Sequence, residues 1–303
     1  FLDSIPMLIL SGQVRYDTTA RGMGLGIRAG GDQEFDITKA VASMTKYAEM
    51  IEDPRRIRYA LEKAFYLATH GRPGPTWIDI PVNYQGMTIE TDELFGYDPA
   101  EDAATLAPAF SPETGREVLS LLKAAARPVL YAGNGVRLAG GFDLFEKVVK
   151  KLNVPVVTGW DNIDMMADDD PLYVGRGGIM GDRPGNFAVQ NADLVLAVGN
   201  RLSIRQVGYS FKTWARAAKV VMVDVDGEEL KKPTLHVDLP IQADAADFLR
   251  VLDSLLPEGA FYPENGWQDT CRHWKKDYPV TLPRHYAAKG LTNVYAFIDS
   301  LSA

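Results

Sequence analysis

The feature that most constrains the fold is an alternation of apolar strand-length runs and amphipathic helix-length segments between residues 111 and 256. Such alternation is typical of parallel strands joined by crossover helices. The sequence therefore predicts an α/β, doubly wound fold for this region. The predicted helices are 111–125, 141–152, 186–191, 209–217 and 245–256, and the predicted strands are 128–132, 154–158, 193–198 and 219–225.

The first 90 residues show a shorter pattern of the same kind. Apolar runs at 6–10 and 76–80 predict two buried strands, and Asp53 followed by Pro54 predicts the start of a helix that ends near residue 70. Residues 91–110 are acidic, contain proline and lack periodicity, as is typical of a linker. We therefore expect domains at 1–90 and 111–258, with a further connecting segment at 259–303.

The charge balance and the cysteine count exclude several classes of protein. A net charge of −8, with 32 basic and 40 acidic residues, opposes binding to nucleic acid. No stretch approaches the roughly 20 apolar residues of a membrane span. The single cysteine, Cys271, excludes an internal disulfide and fits a reducing, cytoplasmic location, and we expect it to be a helix residue without a role.

Loops at the ends of three predicted strands are the candidate ligand site. Segments 132–135, 157–159 and 198–201 contain glycines, which allow a ligand to approach the backbone, yet none matches the full GxGxxG pattern. A nucleotide-type crevice and ordinary strand-to-helix turns both explain them. Segment 224–227 suits either a ribose contact or a helix cap, and segment 175–185 suits either a mobile cover or a surface turn.

Catalytic side chains and metal ligands are not recognisable from the pattern. The histidines are scattered without partners, and no metal-ligand spacing is present. Gln13, Gln33, Glu34 and Lys46 are polar loop residues that ordinary surface positions would explain equally well. The four histidines are His70, His236, His273 and His285.

Short phrases along the chain resemble the acetolactate synthases and related thiamine-diphosphate enzymes. The order and spacing of these phrases also match that family, and the resemblance runs from residue 1 to about residue 257. The phrases are GQV at 12–14, GDQEF at 31–35, MTK at 44–46, GRPGP at 71–75, ADLVLAVGNR at 192–201, VDVD at 223–226 and QADA at 242–245.

The resemblance implies a partial pyrimidine-binding domain at 1–90, a Rossmann-like central domain of the NAD/FAD type at 111–258, and the start of a diphosphate-binding domain within 259–303. It implies thiamine diphosphate and Mg²⁺ as cofactors, a 2-oxo acid as substrate, and a homodimer or homotetramer. The family's activating glutamate is expected before Phe1 and its Gly-Asp-Gly motif after Ala303. We therefore expect the chain to be a fragment with no catalytic residue, inactive alone, of a transferase or lyase.

The resemblance also carries residue positions over. It places Gln13 and Gln33 near the thiazolium and substrate, and Lys46 near the domain contact. In this family the central groove holds flavin, an adenine nucleotide such as ADP, or nothing. The positions that match that groove are Gly133, Gly135, Thr158, Met180, Gly199, Arg201, Arg205, Asp224 and Asp244.

Two positions depart from the synthase pattern. Arg15 stands where proline is usual, and Ser203-Ile204 replaces an acidic pair, so the resemblance requires neither FAD nor acetolactate formation. Two alternatives stay open: a stand-alone nucleotide-binding module and a dimerising structural domain.

Overall fold

The computed structural model describes residues 1–287 and 289–302 and divides into two compact units, Phe1–Ala107 and Pro108–Ala303. The division falls inside the predicted linker at 91–110. None of the described helices is long and apolar enough to cross a membrane.

The elements of the first unit are β1 Met7–Gln13, α1 Ile37–Val41, β2 Tyr47–Met50, α2 Ile57–Thr69, β3 Pro75–Pro81 and α3 Val82–Gln85. Its three strands form a parallel sheet in the order β1-β3-β2. The strands and helix predicted at 6–10, 76–80 and 53–70 are present, whereas α1, β2 and α3 are not predicted by the sequence.

Helix α2 forms where the local signals place it. The Asp53 carboxylate accepts the Arg55 N–H, and Pro54 occupies the first position of a short 3-10 turn that leads into the helix. The helix buries Ala60 and Ala64 against Ile78 of β3. This small cluster is the apolar core of the first unit.

The second unit contains a parallel sheet of six strands in the order β6-β5-β4-β7-β8-β9. This is the strand order of the Rossmann fold. The strands are β4 Pro128–Ala132, β5 Val156–Thr158, β6 Tyr173–Arg176, β7 Leu194–Val198, β8 Lys219–Asp224 and β9 Leu239–Gln242. The helices are α4 Pro112–Ala124, α5 Gly135–Leu138, α6 Phe142–Leu152, α7 Arg183–Asn191, α8 Ile204–Val207, α9 Ala245–Leu255, α10 Gly266–Asp277, α11 Pro283–Tyr286 and α12 Val294–Ser302.

Both faces of the six-stranded sheet are covered. On one face Leu130 of β4 belongs to a core with Phe145 of α6 and Phe248 of α9. On the other face Tyr131 belongs to a core with residues of α7 and α10, including Trp267. Because side chains alternate along a strand, neighbouring residues of β4 feed the two cores. The predicted α/β, doubly wound class is confirmed.

Two local predictions are wrong. The predicted helix at 209–217 is absent: α8 ends at Val207, and Ala215 has a φ of 44°, which a right-handed helix cannot contain. Segment 175–185 is not one long loop, because β6 extends to Arg176 and α7 begins at Arg183.

Candidate functional site

The candidate crevice lies at the carboxyl edge of the six-stranded sheet, between β4 and β7. From β4 the chain adds strands on one side (β5, β6) and then on the other (β7, β8, β9). In open α/β sheets, ligands bind where the strand order reverses in this way. The loops that follow β4 and β7 therefore form the candidate binding site.

The glycines of these two loops pack against each other. The Gly133 N–H donates to the Val198 oxygen at 3.0 Å, and the Gly135 N–H donates to the Gly199 oxygen at 2.9 Å. A Cβ atom on Gly133 would lie 2.3 Å from the Asn200 Cα, and Gly199 has a φ of 58°. The loop contact therefore requires glycine whether or not a ligand binds.

Two buried asparagines, Asn162 and Asn200, converge at the end of β4. Each donates its Nδ2 to the Ala132 carbonyl oxygen, at 3.2 Å in both cases, and Gly159 N–H donates to the same oxygen at 3.0 Å. The Oδ1 atoms of both asparagines are buried without a hydrogen-bond partner among the described residues. Sequence reasoning singled out neither residue, although Asn200 lies in the glycine-containing segment 198–201 that follows β7.

Polar side chains crowd the backbone at Gly159. A Cβ at this position would meet Asp161 Oδ1 at 2.8 Å, Asn162 Oδ1 at 2.9 Å and Gln206 Nε2 at 3.2 Å. The Gln206 oxygen is engaged, since it accepts the Ser203 N–H and hydroxyl at 2.7 and 2.9 Å. The Gln206 amide nitrogen is therefore the atom that this side chain presents toward Gly159.

The rim of the crevice is aromatic and apolar. Trp160 is 39% exposed, and the Arg205 guanidinium lies 4.7 Å from its ring centroid. Met180 is 68% exposed and Ile179 is also exposed. The Ile179 N–H donates to the Arg205 oxygen at 2.7 Å, so the loop after β6 is tied to α8.

Most other predicted groove residues are engaged with the protein itself. The buried Thr158 hydroxyl lies 3.3 Å from the Tyr173 hydroxyl, and the Arg201 guanidinium forms an ion pair with Glu229 at 2.8 Å. Asp244 caps α9 by accepting two backbone N–H groups. Of the predicted groove residues, Met180 and Arg205 are exposed at the rim. The role of the predicted groove residues in nucleotide binding stays a prediction.

Asp224 ends β8 with its side chain buried. Its carboxylate accepts the Asp226 N–H at 2.9 Å, and its carbonyl accepts the Ala243 N–H at 3.0 Å. It is not a helix cap, because the nearest 3-10 turn begins at Glu229 after Glu228. Asp226 is the capping residue of this segment, since its carboxylate accepts the Glu228 N–H at 3.0 Å, and a ribose contact by Asp224 stays a prediction.

In the first unit, Gln13 is part of a buried hydrogen-bond network. Its Nε2 donates to Asp79 Oδ2 and to the Phe35 carbonyl, both at 2.8 Å, and its Oε1 accepts the Val14 N–H at 3.0 Å. Asp79 is fully buried and also accepts the Ser11 hydroxyl at 2.6 Å. The Gln13 amide therefore holds strands and loop together.

Lys46 and Gln33 occupy different settings. The Lys46 ammonium donates to the carbonyls of Leu67 and His70 (2.8 Å to His70), which caps the end of α2, and burial lowers the pKa of Lys46. Gln33 is exposed in a left-handed conformation, with a φ of 63°. The side chains of Gln13, Gln33 and Lys46 therefore lie in three separate settings and do not form one thiamine-binding site.

Glu34, the neighbour of Gln33, organises the preceding loop. Its carboxylate accepts the backbone N–H groups of Gly30 at 2.6 Å, Ala20 at 2.8 Å and Gly31 at 3.2 Å. These hydrogen bonds, led by that from Gly30, lower the pKa of Glu34. The Glu34 carboxylate therefore joins three backbone positions of the loop at 20–34.

The described part of the chain contains neither a reactive cysteine nor a group of metal ligands. Cys271 is buried on α10, and burial raises the pKa of its thiol to about 12, so the thiolate is not populated near neutral pH. Within residues 1–287 and 289–302, no three His, Cys, Asp or Glu side chains form a group that could hold a metal ion.

Comparison with known proteins identifies the relatives of this fold. A family model for the central domain of thiamine pyrophosphate enzymes matches residues 116–252. The large subunit of acetolactate synthase isozyme 1 from Escherichia coli (strain K12) is 31% identical over 97% of this chain and 50% of its own length. The large subunit from Porphyra purpurea is 28% identical over 93% of this chain and 47% of its own length.

A third relative extends the comparison to another bacterial lineage. The acetolactate synthase large subunit of Corynebacterium glutamicum is 31% identical over 92% of this chain and 43% of its own length. The chain thus spans about half the length of the curated relatives it matches. With the Rossmann strand order of the second unit, these matches show that residues 116–252 form the central domain of a thiamine pyrophosphate enzyme and that the chain as a whole is similar to acetolactate synthase large subunits.

Proposed function

We propose that this chain acts within a thiamine-diphosphate-dependent enzyme that cleaves a 2-oxo acid and transfers the remaining carbon unit, as a transferase or lyase with Mg²⁺. The observation that carries the proposal is the match to an acetolactate synthase large subunit over 97% of the chain, which includes both structural units. When bound, thiamine diphosphate supplies an electron sink for the carbanion formed at the carbonyl carbon. This chain contributes the scaffold around that chemistry.

The residues of the first unit are proposed to act as positioning residues. Gln13 and Asp79 fix the end of β1, while Glu34 holds the following loop in one shape. Because the chain spans about half the length of its relatives, the chain by itself is proposed to be inactive. The predicted lining role of Gln13 and Lys46 requires a partner surface that completes the site.

The central crevice is proposed to hold a flavin or an adenine nucleotide. Support comes from its position at the reversal of strand order and from the exposed ring of Trp160 beside Arg205. Trp160 would stack on a planar ring, and the Arg205 guanidinium would contact a phosphate.

One experiment tests the enzyme proposal and another tests the crevice. Release of carbon dioxide from pyruvate and 2-oxobutyrate is measured with thiamine diphosphate and Mg²⁺, for the protein in its natural full length and for this chain alone. We expect turnover only by the full-length protein. Absence of both thiamine diphosphate binding and 2-oxo acid turnover in the full-length protein would reject the enzyme proposal.

The bound-ligand content of the purified chain tests the crevice directly. It is read by absorbance at about 350–500 nm, where flavins absorb, and by mass spectrometry after denaturation. About one flavin or adenine nucleotide per chain would support the crevice as a binding site. Nucleotide binding without turnover of any 2-oxo acid by the full-length protein would instead favour a stand-alone nucleotide-binding module.

Assembly and location complete the proposal. We propose a homo-oligomer, at least a dimer, in the cytoplasm. Light scattering coupled to size-exclusion chromatography measures the mass, and a monomer at micromolar concentration contradicts the oligomer.

A further inference from the structure

The inference concerns residues 91–106, which form most of the stretch that the sequence predicts as a linker, and it goes beyond the proposed function because it involves no ligand. This segment, the strap, contacts α2 and the turn before it. The Phe95 N–H donates to the Arg55 carbonyl oxygen at 3.0 Å, and the Tyr97 N–H donates to Glu62 Oε2 at 2.9 Å. Backbone groups of the strap are therefore paired with the first unit.

The side chain at the centre of this contact is Lys63 of α2. Its ammonium forms an ion pair with Asp102 of the strap at 2.9 Å, and both side chains are less than a fifth exposed, at 17% and 19%. The same ammonium lies 5.5 Å from the Tyr97 ring centroid and 5.7 Å from that of Tyr59. A cation at such a distance is attracted to an aromatic ring. Lys63 therefore holds two separate positions of the strap.

Hydroxyl groups extend the contact around Lys63. The Tyr97 hydroxyl donates to Asp102 Oδ2 at 2.8 Å, and the Tyr59 hydroxyl donates to Glu101 Oε2 at 2.6 Å. The rings of Tyr59 and Tyr97 meet edge to face, with their centroids 5.6 Å apart. Members of such a network strengthen one another. Loss of the Lys63 charge is therefore expected to weaken several contacts of the strap together.

The strap ends beside the turn that follows α2, and the next anchor along the chain belongs to the second unit. A Cβ atom on Gly71 would lie 3.1 Å from the Thr105 oxygen and 3.7 Å from the Leu106 side chain. Phe110 packs against the core of the second unit, with its ring centroid 5.0 Å from that of Phe248. Only a short piece of chain therefore lies between the last contact of the strap and the first contact of the second unit.

This short piece is the joint, residues 107–109, and it belongs to no helix or strand. The division between the two compact units falls inside it, between Ala107 and Pro108. A proline fixes its own φ and restricts the residue before it. We propose that residues 91–106 are a strap latched onto the first unit by Lys63, and that the flexible connection between the units is reduced to the joint.

Hydrogen exchange of the whole chain, read by mass spectrometry with fragmentation to single amides, tests both parts. We expect the Phe95 and Tyr97 amides to exchange at least about tenfold more slowly than unstructured amides, and the Ala107 and Ala109 amides to exchange near the unstructured rate. Exchange of all four near the unstructured rate would show one long flexible linker and overturn the strap. Equal protection of all four would overturn the joint.

A charge-removing variant assigns the latch to Lys63. Lys63→Met keeps a long apolar side chain but removes the ammonium, so we expect exchange at Phe95 and Tyr97 to become at least about fivefold faster, as the loss of an ion pair and cation–π contacts predicts. Lys39→Met is the matched control, because Lys39 lies in the same unit with its side chain 80% exposed. This control should leave exchange in the strap unchanged.

A milder variant keeps the test decisive if Lys63→Met does not fold, which circular dichroism checks. Tyr97→Phe removes only the hydroxyl that donates to Asp102 and should speed exchange in the strap about two- to threefold. Unchanged exchange in the strap of the folded variants would overturn Lys63 as the latch. An equal rise in the strap and in β3 would show general destabilisation of the first unit and would also overturn it.

Discussion

The two units use the same α/β pattern but close their sheets differently. In the second unit every residue of β4 and β7 is buried between helices on both faces. In the first unit β1 is an edge strand, and its Met7, Leu8 and Leu10 side chains are all exposed. Apolar burial therefore dominates the second unit, while the first depends more on hydrogen bonds and ion pairs.

A cavity in the first unit shows the same difference. It has a volume of about 360 Å³ and is partly open, whereas the side chains of strands β4, β7 and β8 in the second unit are almost all buried. The lining residues are Leu10, Ile51, Pro54, Ile57, Leu61, Ile80, Tyr84, Gln85, Met87 and Ile89.

The largest expected effect compares two leucines. Leu122 is fully buried in the second unit and Leu10 is 55% exposed in the first. Leu122→Ala is expected to lower the free energy of unfolding by roughly 2–5 kcal/mol, and Leu10→Ala by less than about 1 kcal/mol, because only Leu122 leaves a closed cavity. Urea denaturation followed by tryptophan fluorescence measures both. Equal losses would break the comparison.

A second comparison uses two glycines. Gly133→Ala is expected to destabilise the second unit by roughly 1–3 kcal/mol, because the new Cβ would meet the Asn200 Cα and the Gly199 oxygen at 2.3 Å. Gly26→Ala, in a first-unit loop with no atom within 4 Å, is the control and should change stability by no more than about 1 kcal/mol. Thermal denaturation measures the stability of both variants. Unchanged stability of Gly133→Ala would show that the loops after β4 and β7 can separate.

The polar network of the first unit provides the third test. Asp79→Asn replaces one acceptor with a donor that faces either the Ser11 hydroxyl or the Gln13 amide, so we expect a loss of about 1–2 kcal/mol. Asp3→Asn, at an exposed position, is the control. Hydrogen exchange read by mass spectrometry should show faster exchange in β1 and β3 only for Asp79→Asn. Unchanged exchange in both strands would show that apolar contacts suffice.

The smallest expected effect is a pH dependence of the first unit. Burial by itself would raise the pKa of Asp36, but hydrogen bonds from Thr38, Lys39 and Arg21, with the Arg21 charge, hold that pKa well below its usual range. A carboxyl with a lowered folded-state pKa stabilises the fold above its unfolded pKa of about 3.9, and this stabilisation is lost as the pH falls further.

We therefore expect the first unit to lose on the order of 1 kcal/mol below about pH 4 through this group. Asp36→Asn should flatten that part of the profile, measured by denaturation between about pH 2 and 6. A profile that is the same in the variant and the wild type would assign the acid sensitivity to other carboxyl groups.

Local signals explain which elements could be predicted. Helix α4 begins where Ser111 accepts the Thr114 N–H at 3.1 Å and Pro112 takes the first helical position, and both signals are readable in the sequence. Strands β2, β6 and β9 have four residues each and depend on pairing with β3, β5 and β8. That pairing involves distant parts of the chain, so these strands leave little local signal.

The sequence by itself determined the α/β class, the alternation of the longer strands and helices along the chain, and the resemblance to thiamine-diphosphate enzymes. These features could be recognised because periodicity, helix caps and short phrases are local properties. Only the tertiary structure showed that Gly133 and Gly199 contact each other and that Asn162 and Asn200 share the Ala132 carbonyl. These residues are separated by dozens of positions and meet only when β4 becomes the neighbour of β5 and β7. Burial and hydrogen-bond partners belong to that arrangement in space, which no single stretch of sequence contains.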